Sequence, residues 1–142
     1  MSINEIEFTK IEKEVKKDKK SVLEYLAPDI GKVYVVSITR DGCPACKKQK
    51  PKISRLAGDA KKKYGSKVVF DQIHVKYSDQ KREESLRCKD LFDHYFYPTN
   101  LILLKTRDRG AIEYYRNASA SATELKRNIK SAFEVATMLE KE

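Results

Sequence analysis

Residues 32 to 39, KVYVVSIT, constrain the fold more than any other stretch, because nearly all of them are apolar or β-branched. Such a run, without polar residues at alternate positions, predicts a strand that is buried on both faces. A strand of this kind lies inside a sheet whose two faces are both covered. The chain therefore needs further strands beside this segment and helices on either side of the sheet.

The rest of the chain supplies both kinds of element. Strands that alternate with helices favour parallel pairing through right-handed crossovers, and Gly110 in TRDRG favours a hairpin that adds an antiparallel edge. The sequence therefore predicts an α/β fold, a three-layer α/β/α arrangement with a central mixed sheet. The predicted elements are a helix over 9 to 26, strands over 32 to 39 and 67 to 77, helices over 44 to 64 and 78 to 95, strands over 99 to 105 and 111 to 116, and a last helix that begins after Ser121.

Two of these helices carry specific signals. In the helix over 78 to 95, Leu86, Leu91 and Phe92 are the residues expected to face inward. The last helix has a capping box formed by Ser121 and Glu124, followed by apolar residues at helical spacing. Those apolar residues predict a helix that packs on the sheet.

The 142 residues correspond to about one domain, so we predict a single unit over 1–142. The N-terminal stretch MSINEIEFTKIEKE alternates acidic with isolated apolar residues, which does not match a secretory signal, and the chain has no apolar run of membrane-spanning length. We therefore expect a cytoplasmic protein without a membrane partner. The net charge of +9 is interleaved with acidic residues and no nucleic-acid motif accompanies it, so we also expect no nucleic-acid partner.

Cys43 and Cys46 are separated by two residues and directly follow the buried strand. Two thiols at this spacing form a reversible disulfide, supply half of a metal site, or are two ordinary small residues. The only further soft ligands are Cys88, His74 and His94, and their positions match no zinc spacing, so we expect no metal. A redox pair is the interpretation that the pattern favours.

The position of the pair predicts how the two thiols differ. Pro44 suits the first turn of a helix, which leaves Cys43 just before the helix, where free backbone N–H groups and the helix dipole stabilise a thiolate. Lys47 and the lysines that follow it add a positive field. Cys43 is then the nucleophile, and Cys46, one turn further along and expected to be less exposed, is the resolving thiol.

At this point the sequence resembles the thioredoxin family. The resemblance rests on the CPAC motif at 43 to 46, on Pro51 within the following helix, and on YPTN at 97 to 100 before the closing hairpin. It covers about residues 32 to 140, which leaves about 1 to 31 as an extra N-terminal helical extension. It implies a thioredoxin-like fold and a cycle between dithiol and disulfide without a bound cofactor. It further implies a substrate groove at Tyr97, Pro98 and Thr99, with Pro98 the cis-proline that faces the cysteines.

The chain departs from the family pattern at several positions. Ser37 stands where thioredoxins have a buried aspartate, Gly42 replaces the tryptophan before the first cysteine, and Asn117 replaces a glycine. Asp71 is a substitute acid for Cys46 if it lies near the pair, and a hydrogen-bonded structural aspartate otherwise. Ala45 makes the dipeptide between the cysteines Pro-Ala, which leaves the direction of electron flow open.

The remaining chemistry-bearing residues have simpler interpretations. Cys88 fits a small buried core residue better than a regulatory thiol, and His74 and His94, which have no visible triad partners, fit structural or solvated roles. The predicted function is a thiol-disulfide oxidoreductase that acts on protein disulfides and is recharged by a reductase or a small thiol. The alternatives are a glutathione-dependent glutaredoxin-like enzyme, a non-catalytic binding module with the same fold, and a metal-binding protein.

Overall fold

The structure is a computed structural model, and it describes residues 3–118 and 121–142. Its centre is a five-stranded sheet with the order β1-β3-β2-β4-β5, in which β1, β3 and β2 are parallel and β4 and β5 are antiparallel. The predicted mixed sheet with an antiparallel edge is therefore confirmed. The elements are β1 (Ile3–Glu7), α1 (Phe8–Glu14), α2 (Lys19–Leu26), β2 (Val33–Arg40), α3 (Pro44–Tyr64), β3 (Val68–Val75), α4 (Glu83–Phe92), β4 (Thr99–Lys105), β5 (Ala111–Asn117) and α5 (Ala122–Glu140), with a short 3₁₀ turn at Gly65–Lys67 between α3 and β3.

Alternate residues of β2 belong to two different hydrophobic cores, one on each face of the sheet. Tyr34, Val36 and Ile38 pack with α1, α2 and α4, whereas Val33 and Val35 pack with α3 and α5. Because side chains in a strand alternate between the two faces, a strand buried on both sides is mainly apolar on both. This is why KVYVVSIT is mostly apolar, with Ser37 and Thr39 as its buried polar residues, and the three-layer α/β/α prediction is confirmed.

The N-terminal segment differs from the predicted single helix over 9 to 26. β1 is an edge strand parallel to β3, and the helical region that follows is divided between α1 and α2. A new helix, α2, begins after Asp18, because the Asp18 backbone is extended and its carboxylate caps the helix. That carboxylate accepts a hydrogen bond from the Ser21 N–H at 2.8 Å. The N-terminal residues therefore belong in part to the central sheet and are not purely a helical extension.

Helix α4 is shorter than the predicted 78 to 95, and one of its expected inward residues points outward. Ser85, Cys88 and Phe92 form the buried face, while Leu86 is 63% exposed. Leu86 follows Ser85 by one position, a rotation of about 100° around the helix, so it cannot share that face. The prediction for Leu86 is wrong, whereas Phe92 is buried and Leu91 is partly buried, as expected.

The other predicted elements are close to the observed ones. Helix α3 ends at Gly65 as expected, and Pro51 lies inside it. In α5 the Ser121 side chain accepts a hydrogen bond from the Glu124 N–H at 3.3 Å. This bond confirms the predicted cap. Of the helices in residues 3–118 and 121–142, none has the length and the apolar composition needed to cross a membrane.

Candidate active site

The cysteine pair lies where β2 runs into α3. Cys43 is the N-cap residue of α3, and its Sγ accepts a hydrogen bond from the Cys46 N–H at 3.1 Å. The two cysteines form a disulfide, with their Cα atoms 5.2 Å apart. Both are nearly buried, at 4% and 7% exposure, so the expected lower exposure of Cys46 is not observed. The backbone donor and the N-terminus of α3 both favour negative charge on the Cys43 sulfur.

The loop before β4 lies against the pair. The Tyr97–Pro98 peptide bond is cis, and the Tyr97 carbonyl oxygen is 3.6 Å from the Cys43 Sγ. Thr99, the first residue of β4, donates a side-chain hydrogen bond to the Phe96 carbonyl at 2.6 Å. The structure therefore places the Tyr97 carbonyl beside Cys43, with Pro98 and Thr99 next in the chain, and the substrate-binding role of the three residues stays a prediction.

Cys88 and His94 connect this loop to α4 through side-chain hydrogen bonds. The Cys88 Sγ is 3.5 Å from the His94 Nε2, and the His94 Nδ1 is 3.1 Å from the Phe96 carbonyl oxygen. Burial raises the pKa of the Cys88 thiol to about 12, and burial also lowers the pKa of His94 to about 4. Both groups are neutral at pH 7, so the thiol donates to Nε2 and the Nδ1–H donates to the carbonyl. The predicted buried position of Cys88 is confirmed, whereas its pairing with His94 was not visible in the sequence.

Behind Cys46 lies a group of neutral polar side chains, the amide cluster, formed by the buried Ser37, Gln49 and Asn100 and the partly buried Asn117. The Ser37 hydroxyl donates to the Asn100 Oδ1 at 2.7 Å. The Asn100 Nδ2 donates to the Gln49 Oε1 at 2.7 Å and to the Asn117 Oδ1 at 3.0 Å. Two of the departures from the family pattern, Ser37 and Asn117, thus belong to one hydrogen-bonded network. Asn100 and Gln49, its other members, are functional candidates that were missed in the sequence.

Asp71 lies elsewhere. As expected, it shares a face of β3 with Ile73 and Val75, but this face packs against α1, α2 and α4, on the side of the sheet opposite α3. Its carboxylate accepts a hydrogen bond from the Asn4 Nδ2 at 3.0 Å. Burial raises its pKa. The structure does not bring Asp71 to the cysteine pair, and its position fits the hydrogen-bonded structural alternative.

The residues expected to tune the pair lie at the start of α3. Pro44 is the first residue of the helix, where its missing N–H costs no hydrogen bond, and Ala45 is exposed. Lys47 is exposed one turn along the same helix. All three residues are exposed, and their influence on the pair stays a prediction.

An open cleft of about 370 Å³ adjoins both cysteines on the β3 side, and we call it the charged cleft. Its polar floor includes Ser37, Thr39, Gln49 and Gln72, and Ile53 also borders it. Side chains of both charge signs form its rim. The rim residues are Glu5, Glu7, Arg40, Asp41, Lys47, Lys50 and His74.

His74 and Asp41 make the closest polar contact at this rim. The His74 Nε2 is 2.8 Å from the Asp41 Oδ1, and the other carboxylate oxygen accepts a hydrogen bond from the Tyr77 N–H at 3.2 Å. No partner for His74 was visible in the sequence, because Asp41 lies 33 positions away in the chain. Within the described residues, no group of three or more His, Cys, Asp or Glu side chains is arranged to hold a metal ion.

Comparisons with known proteins bear on the fold. No protein-family model and no curated protein sequence matches this chain. Among solved structures, the Trx4 domain of ERdj5 matches with a TM-score of 0.63 at 15% identity, covering 95% of this chain and 98% of that domain. The chain has the thioredoxin fold.

Two further thioredoxin-fold structures agree with this assignment. Thioredoxin from Trichomonas vaginalis matches with a TM-score of 0.62 at 12% identity, over 92% of this chain and 96% of that protein. A chain from the complex of ferredoxin:thioredoxin reductase and thioredoxin f2 matches with a TM-score of 0.55 at 20% identity, over 92% and 94% of the two chains. At these identities the comparison establishes the thioredoxin fold, and the activity has to be argued from the site.

Proposed function

We propose that this protein is a thioredoxin-like oxidoreductase that reduces disulfides in other proteins, with Cys43 as the nucleophile and Cys46 as the resolving thiol. The observation that carries the proposal is the Cys43–Cys46 disulfide at the N-terminus of α3, next to the Tyr97 carbonyl. A cysteine pair in an electropositive helix N-terminus beside an open surface is suited to thiol-disulfide exchange.

In the first step the reduced Cys43 attacks a substrate disulfide as a thiolate. A new bond forms between the Cys43 Sγ and one substrate sulfur, the substrate S–S bond breaks, and the other substrate sulfur leaves as a thiolate. The Cys46 N–H, the dipole of α3 and the lysines on its first turns stabilise the attacking thiolate.

In the second step Cys46 gives up its proton and attacks the Cys43 Sγ. The Cys43–substrate bond breaks, the substrate leaves as a thiol, and the two cysteines become the disulfide seen in the structure. Their Cα separation of 5.2 Å lies in the usual range for disulfides, so this step needs no rearrangement of α3. A reductase or a small thiol then returns the pair to the dithiol.

The surface beside the pair supports a protein substrate. Tyr95 and Phe96 are 74% and 64% exposed and directly precede the Tyr97–Pro98 loop. Large exposed apolar side chains that adjoin a reactive centre are typical of sites that bind polypeptides. We therefore infer that an extended substrate segment lies along residues 97 to 99, with the two aromatic side chains at its border.

A cellular role follows from the same proposal. The solved complex of a thioredoxin with ferredoxin:thioredoxin reductase supports a redox partner for this chain as well. Cys88 is free and buried in the structure, and unpaired thiols are usual in proteins of a reducing compartment. We propose a cytoplasmic protein that contributes to cell redox homeostasis.

Single cysteine substitutions test the mechanism with a protein disulfide as substrate. Cys43→Ser should abolish reduction, whereas Cys46→Ser should accumulate mixed disulfides that mass spectrometry detects. Cys88→Ala is the matched control: it removes the third cysteine but neither sulfur of the pair, so a folded Cys88→Ala protein should still complete both exchange steps, even where the lost contact with His94 lowers their rate. A folded Cys43→Ser protein that still reduces disulfides would rule the mechanism out.

A further inference from the structure

The second step of the proposed reaction needs a proton acceptor for Cys46. The side chains of the amide cluster behind it are hydroxyls and amides, which donate and accept hydrogen bonds but do not take up a proton at neutral pH. Asp71, the acid that the sequence suggested, lies on the other face of the sheet. The acceptor therefore has to be sought on the open side of the pair.

The charged cleft provides that open side. Cys43, Cys46 and His74 all line it. His74 is the Cα partner of Thr39 on β2, and since neighbouring paired residues share a face, His74 lies on the α3 side of the sheet. The side chains of His74 and Asp41 are 31% and 48% exposed, so both are accessible to solvent at the rim of the cleft that the cysteines also line.

The hydrogen bonds of Asp41 fix the imidazole. A carboxylate accepts only, so at the 2.8 Å contact the His74 Nε2 carries the hydrogen and donates it to the Asp41 Oδ1. The second carboxylate oxygen is held by the Tyr77 N–H, and the Asp41 N–H donates to the Val75 carbonyl at 3.1 Å. The Nδ1 atom is then the ring nitrogen that gains and loses a proton. Histidine is the side chain that most often serves as a general base in enzymes.

Charges of both signs surround His74. Glu7 is its Cα partner on β1, and Glu5 lies on the same strand. The positive groups come from the end of β2, from the start of α3 and from the segment after β3, and Tyr77 adds a titratable hydroxyl. These residues are Arg40, Lys47, Lys50, Lys76, Tyr77 and Lys81. Groups of both charge signs therefore line the cleft around His74.

We propose that His74, oriented by Asp41, accepts the proton of Cys46 through the solvent of the charged cleft. The proposal rests on the function proposed above. As the Cys46 S–H bond breaks, its proton passes to the His74 Nδ1, and the Cys46 sulfur attacks the Cys43 Sγ with the freed electron pair. The Cys43–substrate bond breaks, and the departing substrate thiolate takes the proton from the imidazolium. Two thiols are thereby oxidised to one disulfide, the substrate disulfide is reduced, and His74 returns to its starting state.

A two-step kinetic experiment with 5,5′-dithiobis(2-nitrobenzoate) separates this role from the rest of the reaction. Attack by Cys43 releases one thionitrobenzoate, and resolution by Cys46 releases the second, so each step has its own absorbance change. The Cys46→Ser variant stops after the first release and provides its rate. Wild type, His74→Gln and Asp41→Asn are then compared between pH 5.5 and 8.5, with Lys81→Gln as a control that changes a nearby charge without removing the imidazole.

The expected result is an unchanged first release in His74→Gln and a second release slowed about tenfold at pH 7. A general base is typically worth about 100-fold or more, and solvent in the open cleft replaces part of that contribution. The acid limb of the pH profile should disappear in His74→Gln, and added imidazole should restore much of the rate. Asp41→Asn should shift that limb, whereas Lys81→Gln, which leaves the imidazole and its carboxylate partner in place, should retain it.

Two results would overturn the assignment of His74. One is a second release with the wild-type rate and pH profile in His74→Gln. The other is an equal slowing of both releases that imidazole does not reverse, because this would show a structural role. Either result leaves the proposed function standing as long as both releases occur in wild type. Failure of wild type to release any thionitrobenzoate would instead remove the proposed function together with this inference.

Discussion

At the scale of single residues, Asn100 is the centre of the polar network behind the cysteine pair. It is fully buried and takes part in three side-chain hydrogen bonds, with Ser37, Gln49 and Asn117. These partners belong to β2, α3 and β5, so one side chain in β4 joins three other elements at the site. A buried polar network that is satisfied in this way specifies one arrangement of its members, because any alternative leaves polar groups without partners.

Asn100→Ala should therefore destabilise the protein strongly. The substitution removes all three hydrogen bonds and leaves the buried Ser37 hydroxyl without its acceptor, so we expect a loss of about 2–4 kcal/mol in the free energy of unfolding. Denaturant unfolding followed by circular dichroism measures it.

Asn128→Ala is the matched control for this measurement. Asn128 lies on α5, and its side chain donates to the Glu124 carbonyl within the same helix. A substitution away from a buried network should change the free energy of unfolding by no more than about 0.5 kcal/mol. Equal losses in the two variants would contradict the importance of the network.

The sequence predicted the parts of the site that are local in the chain. Cys43, Pro44, Cys46 and Lys47 are close neighbours after a buried strand, and their relation follows from helix geometry alone. The amide cluster and the His74–Asp41 pair were missed because their members lie far apart in the chain and meet only in the folded structure. A signal existed at Ser37 and Asn100, which are polar residues next to apolar runs in strands predicted to be buried.

At the scale of elements, the Glu24 carboxylate of α2 binds the β4–β5 hairpin. Glu24 accepts a hydrogen bond from the Ala111 N–H at 2.7 Å and forms an ion pair with Lys105. Gly110 lies in the same turn with φ of 74°, and a Cβ atom there would overlap the Glu24 carboxylate. A glycine is therefore needed here for its backbone conformation and for the close approach of α2.

Gly110→Ala and Gly58→Ala should consequently change stability in opposite directions. At Gly110 both the positive φ and the overlap with Glu24 are unfavourable, and we expect a loss of about 2 kcal/mol. Gly58 lies inside α3, and in the described part of the chain no atom comes within 4 Å of the place that a Cβ atom would take. Alanine there should stabilise the protein by about 0.5–1 kcal/mol. Thermal unfolding of both variants checks this, and a neutral Gly110→Ala would show that the turn does not hold α2 as described.

The element pattern also shows what local sequence could not specify. β2, α3, β4 and α5 were predicted closely because their periodicity and caps are internal to each segment. β1 was missed because INEIE has only two apolar residues, and the strand is held by backbone pairing with β3, which local sequence does not encode. The same reasoning applies to α1 and α2, whose separation depends on the cap at Asp18.

At the scale of the whole molecule, stability should fall in mild acid because His94 is buried in a neutral form. Its folded pKa of about 4 lies below the ordinary value of about 6.5, so the unfolded chain binds the proton first as the pH falls. The contribution to stability is fully present above about pH 6.5 and is lost progressively down to about pH 4. Between pH 7 and 4.5 the protonation of His94 alone should lower the free energy of unfolding by about 2 kcal/mol.

Denaturant unfolding at several pH values tests this expectation against His94→Gln. The variant lacks the titrating ring, so its stability should decline less than that of wild type over the same pH range. Parallel pH dependences in the two proteins would show that other groups account for the acid sensitivity.

The net charge of +9 should also shape which substrates react quickly. Lys47, Lys48, Lys50 and Lys52 lie on the helix that begins at the reactive pair, so acidic protein substrates should be drawn to it. Raising the ionic strength from about 0.02 M to about 0.5 M should lower kcat/KM for an acidic protein disulfide by about tenfold, because salt screens these charges. A small neutral disulfide serves as the control and should be nearly insensitive. Equal salt effects on both substrates would argue against steering by this helix.

A redox titration of the Cys43–Cys46 pair is the decisive test of the proposed reductase. The protein is equilibrated in graded thiol-disulfide buffers without metal, and the alkylated thiols on the two cysteines are counted by mass spectrometry. We predict one reversible intramolecular disulfide with a reduction potential near about −270 mV, the range of thioredoxin-like reductases. A value near about −180 mV would contradict the reductase assignment in favour of an isomerase or oxidase. If no Cys43–Cys46 disulfide forms at any potential, the redox function itself is contradicted.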